Sequence, residues 1–237
     1  MTIIDKLYAD PSFFPTLAND LSIRARRDNV VTQHCFGGKF CTYGASHTFN
    51  GLKVQAVFWD EATKKIAIYP VLNDAISFNF SGCIMARFRI CETYYVAHIH
   101  TDRCQDLDCR KAWADFVLKN ENIIDELIMF KPGSEVTGSL NGKCHGIITR
   151  NGQCYTIRTA PNTRNCSSIY LHRQTKKRVE DYKEILELAH NQYDEESFQQ
   201  MKKGWKSYWT WGRVFYDNLS ASETDDQIGG GSCCILI

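Results

Sequence analysis

The sequence has no excess of charge of either sign, no long apolar run and no internal repeat. Its 28 basic and 27 acidic residues leave a formal charge of +1, so no chain-wide field favours nucleic acid or an acidic substrate. No window approaches the roughly 20 apolar residues of a membrane-spanning helix. The first residues lack a basic region followed by an apolar run, so we expect no secretory signal. Any partner must therefore be recognised through local sites.

Cysteine is abundant, with 11 residues in a chain of 237. The number is odd, the residues are scattered, and a chain of this length can bury a full core without disulfide bonds. This usage favours free thiols in a reducing compartment, so we expect a cytosolic location. With 43% hydrophobic and 23% charged residues, the chain has the composition of an ordinary globular protein.

Periodicity and turn residues predict a chain that mixes strands and helices. Residues 3–27 are typical of helix or loop, and apolar and polar residues alternate through much of the region from 29 to 100. We predict two hairpins there, 52–59 with 65–69 and 84–90 with 93–99, and a third centred on Asn151-Gly152. We predict helices at 106–119, extended or followed by 122–130, at 176–191 and at 198–216.

We predict a catalytic domain over residues 1–218, a flexible linker over 219–232 and a lipidation tail over 233–237. Cys234 begins a C-terminal C-a-a-X sequence whose aliphatic last residue favours geranylgeranylation. Cys233 beside it is placed to take a palmitoyl chain, and two chains would anchor the protein stably. The alternatives are an apolar tail packed on the domain and a cloning remnant.

Cys83 is the cysteine whose surroundings are most typical of a nucleophile. It follows Ser81-Gly82 at the start of a predicted strand, where a tight bend can expose a thiol and aim backbone amides at a substrate carbonyl. The hairpin predicted next returns the chain so that the thiol faces the region around His98 and His100. The competing interpretation is a buried core thiol, the commonest role of an unpaired cysteine.

A catalytic thiol needs an imidazole, and the imidazole needs a group that orients it. His98 is the expected acid/base partner, and His100 is the alternative because side chains two apart on a strand share a face. Ser77, six residues before Cys83, is the expected orienting group. Asp102, just past the strand, is the competing one.

These residues resemble the glutamine deamidases represented by the catalytic domain of cytotoxic necrotizing factor, the Burkholderia lethal factor and the chemoreceptor deamidase CheD. The resemblance covers about residues 77 to 100. It lies in Phe80-Ser81-Gly82-Cys83 followed by Ala97-His98, with Ser77 where some members carry a threonine. Phe80 departs from the usual leucine.

The resemblance implies an α+β fold, with a central β-sandwich or mixed sheets and surrounding helices in a single domain. It also implies a toxin or effector that deamidates an exposed glutamine of a target protein through a thioester, with transglutamination as a side activity and no cofactor. Together with the tail, it suggests delivery into a host cell, modification by a host prenyltransferase, and a host small GTPase as the target at a membrane.

Two other functions are compatible with the sequence. The first is a cysteine protease or amidase that uses the same dyad, with Cys35 and His47 as a reserve pair. The second is a lipid-anchored binding protein without catalysis, stabilised by zinc. Its candidate ligands are His98, His100, Cys104 and Cys109, with Cys91 nearby, and a looser set is His34, Cys35, Cys41 and His47. Neither spacing matches a common zinc motif, so we expect no metal.

Overall fold

Two mixed β-sheets pack face to face, with helices on both outer faces, in the computed structural model of the chain. The fold class is therefore α+β, as expected. The structure describes residues 2–28, 32–33, 36–59, 64–80, 83–100, 107–120, 122–132, 143–159, 169–174 and 179–181. Within these ranges, no helix combines the length and the apolar character needed to cross a bilayer.

Among the described elements, two helices precede all the strands, and the third helix lies between the eighth and the ninth strand. The helices are α1 (Ile3–Ala9), α2 (Phe13–Asp28) and α3 (Leu107–Lys119). The strands are β1 (Thr32–Gln33), β2 (Phe40–Thr42), β3 (Gly44–Phe49), β4 (Leu52–Val57), β5 (Ile66–Pro70), β6 (Asp74–Phe80), β7 (Ile84–Ile90), β8 (Thr93–Ile99), β9 (Ile124–Phe130), β10 (Lys143–Ile148), β11 (Cys154–Thr159), β12 (Ile169–Arg173) and β13 (Val179–Asp181).

The strands are divided between a seven-stranded and a six-stranded sheet. Their orders are β1-β2-β5-β8-β7-β9-β13 and β12-β11-β10-β6-β4-β3. Most neighbours are antiparallel, but β2 with β5 and β4 with β6 are parallel. Because β6 belongs to one sheet and β7 to the other, the segment between them carries the chain across the sandwich. Cys83 stands at the end of that crossing.

The apolar side chains form three layers. Helices α1 and α2 pack on the outer face of the six-stranded sheet, and α3 packs on the outer face of the seven-stranded sheet. Between the sheets lies a third cluster, here called the inter-sheet core. Its members are Cys41, Val57, Trp59, Ala67, Val71, Ala75, Phe80, Cys83, Met85, Val96, Phe130, Cys144, Ile148 and Cys154.

Several local predictions are confirmed. Strands β7 and β8 form the predicted hairpin with the predicted bounds, and Ile84 pairs with Ile99. The hairpin at Asn151-Gly152 joins β10 and β11, where Gly152 has a φ of 77°. Helix α3 matches the predicted 106–119 to within a residue, and the first segment is helical with Thr2 as the N-cap of α1.

The predicted hairpin of 52–59 with 65–69 is wrong. The two segments are strands, but β4 pairs with β3 and β6 while β5 pairs with β2 and β8 in the opposite sheet. Because β4 and β5 belong to different sheets, they cannot form a hairpin. Two strands that flank a short polar segment have the same sequence pattern whether they pair as a hairpin or belong to different sheets.

Two predicted helices also need correction. Residues 124–130 form β9, which pairs with β7 on one side and β13 on the other, so 122–130 does not extend α3. Within the predicted helix at 176–191, Val179–Asp181 is strand β13, and its other residues lie outside the described ranges. So do the predicted helix at 198–216, the linker at 219–232, and Cys233 and Cys234 of the tail.

Candidate active site

The β7–β8 hairpin brings Cys83 close to both histidines. Cys83 directly precedes β7, and Ile84 pairs with Ile99, so the next position on each strand sets Cys83 opposite His100. His98 pairs with Met85, one step along the same face of the hairpin. Cys83 and His98 are both 0% exposed, and His100 is buried too. Thiol and imidazoles therefore share the face that meets the other sheet.

Ser77 reaches His98 from the opposite sheet. It lies in β6, and its Oγ is 2.9 Å from Nδ1 of His98 and 2.8 Å from the carbonyl oxygen of Val57. A serine hydroxyl has one proton, and a carbonyl oxygen can only accept. Ser77 therefore donates to Val57 and accepts from His98, which requires a proton on Nδ1. In the neutral ring, the lone pair is then on Nε2.

Two aromatic rings enclose the histidines. Phe80 stacks on His98, with ring centroids 4.3 Å apart and planes 8° apart. Trp59 stacks on His100 at 4.4 Å and 14°, and its centroid is 6.0 Å from that of His98. Sequence reasoning missed both rings, because their contacts depend on which sheet β4 and β6 occupy. Such walls limit how far either imidazole can rotate.

Of the two alternatives proposed from the sequence, His100 lies within the described residues and Asp102 does not. His100 is buried on the same face as His98 and is stacked on Trp59, so it stays close to Cys83 through the strand register. His98 donates from Nδ1–H to Ser77, and this favours His98 as the oriented imidazole. Asp102 lies outside the described residues, as do Ser81 and Gly82.

The cysteines considered as zinc ligands in the alternative interpretation do not gather around the histidines within the described residues. Cys109 belongs to the cluster beneath α3 on the outer face of the seven-stranded sheet, and its thiol donates to the carbonyl oxygen of Lys64 at 3.2 Å. Cys91 is exposed in the β7–β8 turn, at the far end of the hairpin from His98. Cys104 lies outside the described residues. No group of three or more metal-binding side chains occurs in the described part of the chain.

The second loose cluster is also separated. Cys41 lies in the inter-sheet core, whereas His47 packs edge-on against Phe49 at 4.0 Å, on the side of α2. Partial burial, helped by the nearby charge of Arg24, lowers the pKa of His47. His34 and Cys35 lie outside the described residues, so the reserve pair of Cys35 with His47 stays a prediction.

Three other cysteines share the inter-sheet core with Cys83. They are Cys41, Cys144 and Cys154, and all four carry thiols rather than disulfides. Burial raises the pKa of the Cys154 thiol well above its usual range, although the charge of Arg87 opposes the shift. A core thiol of that kind is inert. Cys83 differs in its position beside an imidazole whose tautomer is fixed.

The class defined by this site is an α+β sandwich with a buried thiol, imidazole and hydroxyl where its two sheets meet. No family model matches the chain, and no curated protein matches it. Among solved structures, it is similar to the C-terminal domain of CNFy from Yersinia pseudotuberculosis, with 11% identity and a TM-score of 0.23. That match covers 54% of this chain and 61% of the other, or less than two thirds of its length. The interpretation of Cys83, His98 and Ser77 as a candidate site therefore rests on their own geometry.

Proposed function

We propose that the protein is a cysteine amidohydrolase that deamidates a glutamine side chain of a target protein. Cys83 is the nucleophile, His98 the acid/base and Ser77 the residue that orients it. The observation that carries the proposal is the hydrogen-bond chain from His98 through Ser77 to the carbonyl oxygen of Val57. It fixes Nε2 as the basic nitrogen of an imidazole that shares a sheet face with a thiol.

Acyl transfer follows from these roles. His98 takes the thiol proton on Nε2, and the Cys83 thiolate attacks the carboxamide carbon of the glutamine. Backbone amides near Cys83 hold the oxyanion. When the tetrahedral intermediate collapses, the C–N bond breaks and His98 returns the proton to the leaving ammonia. Water then cleaves the thioester to give glutamate and the free thiol, and an amine in place of water gives transglutamination.

Ser77 supports both halves of this cycle. When His98 is an imidazolium, Nδ1–H still donates to Ser77, and the Ser77 proton still points to Val57. The ring therefore accepts and returns a proton at Nε2 without turning. Phe80 stacked on His98 opposes rotation as well.

Burial sets a condition on the substrate. Cys83 and His98 are both 0% exposed, so a glutamine side chain reaches them only in a conformation that opens this end of the β7–β8 hairpin. If such a conformation were about 1% populated, the apparent affinity for the substrate would fall about 100-fold. A flexible glutamine-bearing segment suits such a site better than a rigid surface.

The target and location follow from the resemblance and the tail. A toxin or effector acting in a host cytosol would meet host prenyltransferases, and lipidation of Cys234, with Cys233 as a palmitoylation site, would hold it at a membrane. A small GTPase there is the proposed target. Replacing Cys234 with Ser should release the protein from membranes of a eukaryotic cell, and unchanged membrane fractionation would exclude the lipid anchor.

Intact-mass analysis tests the chemistry. Incubation with candidate GTPases should add about 1 Da per converted amide, and the gain should disappear with Cys83→Ala. The matched control is Cys154→Ala, which removes another thiol of the inter-sheet core with no imidazole assigned to it. Fragments in place of the mass gain would indicate the protease alternative. Activity retained by Cys83→Ala would refute the assigned nucleophile.

A comparison of histidine variants tests the base. His98→Ala should abolish the reaction, whereas His100→Ala should retain it. The reverse result would assign the acid/base role to His100 and leave Ser77 with a structural role only.

A further inference from the structure

We propose that His145, on the far side of the six-stranded sheet from Cys83, is a positioning residue for the candidate site. It holds a β-bulge in β6 that turns Phe80 towards His98. This inference rests on the proposed function for the catalytic roles of Cys83 and His98, but its structural part concerns β6 and β10 alone.

The bulge is visible in the pairing of β6 with β10. Ala75 pairs with Ile148 and Ser77 with Gly146, but Phe80 pairs with Cys144. Two residues of β6, Phe78 and Asn79, therefore stand against the single residue His145. An extra residue in one strand is the defining feature of a bulge, and it leaves one amide outside the regular ladder.

The extra residue changes which way Phe80 faces. In a regular strand, side chains alternate, so residues three apart point to opposite faces. Ser77 faces the inter-sheet core, where it reaches His98, and Phe78 faces the helices, where it packs near Phe14. Phe80 would follow Phe78 without the bulge. Instead it stacks on His98, so the bulge brings both Ser77 and Phe80 to the same imidazole.

His145 supplies the acceptor for the displaced amide. Its Nδ1 accepts a hydrogen bond from the backbone N–H of Asn79 at 3.3 Å. Asn79 has a φ of 61°, in the left-handed region. An asparagine usually stabilises this conformation through its own side chain, but within the described residues Oδ1 of Asn79 is buried without a hydrogen-bond donor. The contact with His145 takes that role.

The ring of His145 is itself fixed by packing. It is 2% exposed, and it lies edge-on to Phe14 at 4.9 Å and to Phe78 at 5.6 Å. Phe14 belongs to α2, so the N-terminal helices support the bulge from outside the sheet. Since Nδ1 accepts a hydrogen bond from the backbone N–H of Asn79, the neutral ring carries its own proton on Nε2.

Substitutions at position 145 separate the acceptor from the packing. His145→Leu removes the acceptor, whereas His145→Asn places an amide oxygen near the position of Nδ1. The control is Phe78→Leu, which loosens the same layer and leaves the hydrogen bond in place. The readouts are the ring-proton chemical shifts of His98, which carry the ring-current signature of the stacked Phe80, and the deamidation kcat, each beside the thermal midpoint.

We expect His145→Leu to lose the ring-current signature of Phe80 on His98 and to lower kcat at least tenfold, while His145→Asn and Phe78→Leu keep both. Unchanged readouts in His145→Leu would overturn the proposal. So would an equal loss in Phe78→Leu, which would assign the effect to packing, or a failure of His145→Asn to restore the signature.

A second pair of variants decides the matter if His145→Leu does not fold. Asn79→Gly accepts a positive φ at no steric cost, whereas Asn79→Val resists it. The glycine variant should keep the His98 signature and the valine variant should lose it; equal signatures in the two would refute a role for the bulge. A wild-type protein with the signature but no deamidation would refute the proposed function and leave this test intact.

Discussion

Replacing Ser77 with alanine should disable the candidate site while leaving the fold in place. The change removes the acceptor for Nδ1–H of His98 and the donor to the carbonyl oxygen of Val57, at 2.9 and 2.8 Å. Each group would lose this hydrogen bond while it stays buried, and a lost buried hydrogen bond costs about 1–3 kcal/mol. We expect a loss of stability of about 2 kcal/mol, since a water molecule in the space of the hydroxyl would recover part of the cost.

The effect on catalysis should exceed what the stability loss explains. An imidazole that can adopt the other tautomer, or turn, spends part of its time with no base facing the thiol. If holding it in place contributes about 1.4–2.8 kcal/mol, kcat falls about 10- to 100-fold. Urea unfolding gives the stability, and single-turnover mass analysis gives the rate at a temperature where the variant is folded.

Thr156→Val is the matched control for this substitution. Thr156 is buried in β11, and its Oγ1 accepts a hydrogen bond from Gln174 at 2.7 Å. Its loss should reduce stability by a similar amount and leave kcat unchanged. If Ser77→Ala loses stability but keeps kcat within twofold of the wild type, the hydrogen-bond chain is structural and its assigned role is refuted.

Three further predictions concern stability. Asp74→Ala should cost about 3 kcal/mol in urea unfolding, because its buried carboxylate accepts two backbone amides, one from α1 and one from the β10–β11 turn; a cost below 1 kcal/mol would contradict this. Thr2→Ala should cost about 1 kcal/mol through the lost N-cap of α1. Hydrogen bonds from the backbone N–H of Thr2 and, second, from its side chain lower the pKa of Asp5, so the stability that this carboxylate contributes is present above its ordinary pKa and lost as the pH falls through the lowered one. Thr2→Ala removes only the side-chain contribution, so the thermal midpoint of Thr2→Ala should vary slightly less with pH in the acid range than that of the wild type. Gly146→Ala should cost about 1–3 kcal/mol, because a Cβ there would lie 2.7 Å from Sδ of Met85 across the sandwich; an unchanged midpoint would show that the sheets can separate at this point.

The sequence predicted local structure better than sheet membership. The β7–β8 hairpin could be predicted with its bounds, because alternating side chains and a two-residue polar turn encode it locally, and Cys91 and Glu92 adopt the positive φ of such a turn. The pairing of β4 with β6 and the crossing to β5 depend on distant partners. Residues 122–130 resemble a helix in composition, but pairing with two neighbouring strands makes residues 124–130 strand β9.

The site was predictable to the same extent. Cys83 and His98 come together through one hairpin, so their spacing predicts their proximity. Ser77 was predicted as the orienting group, and the structure places its hydroxyl on His98. The stacking of Phe80 on His98 was not predictable, because it requires a bulge in β6 that the residue pattern of this strand does not indicate. The residue opposite this bulge, His145, lies in another strand, 65 positions after Phe80 in the sequence.

The hydrogen bond between Ser77 and His98 makes this site sensitive to the relative position of the two sheets. Each residue belongs to a different sheet, and a separation beyond about 3.5 Å would end the bond. A substitution far from Cys83 that slides one sheet by less than an ångström would break this hydrogen bond, and with it the proposed orientation of His98, and preserve every strand. Circular dichroism would report such a variant as native, whereas a probe of the His98 ring would distinguish it from the wild type.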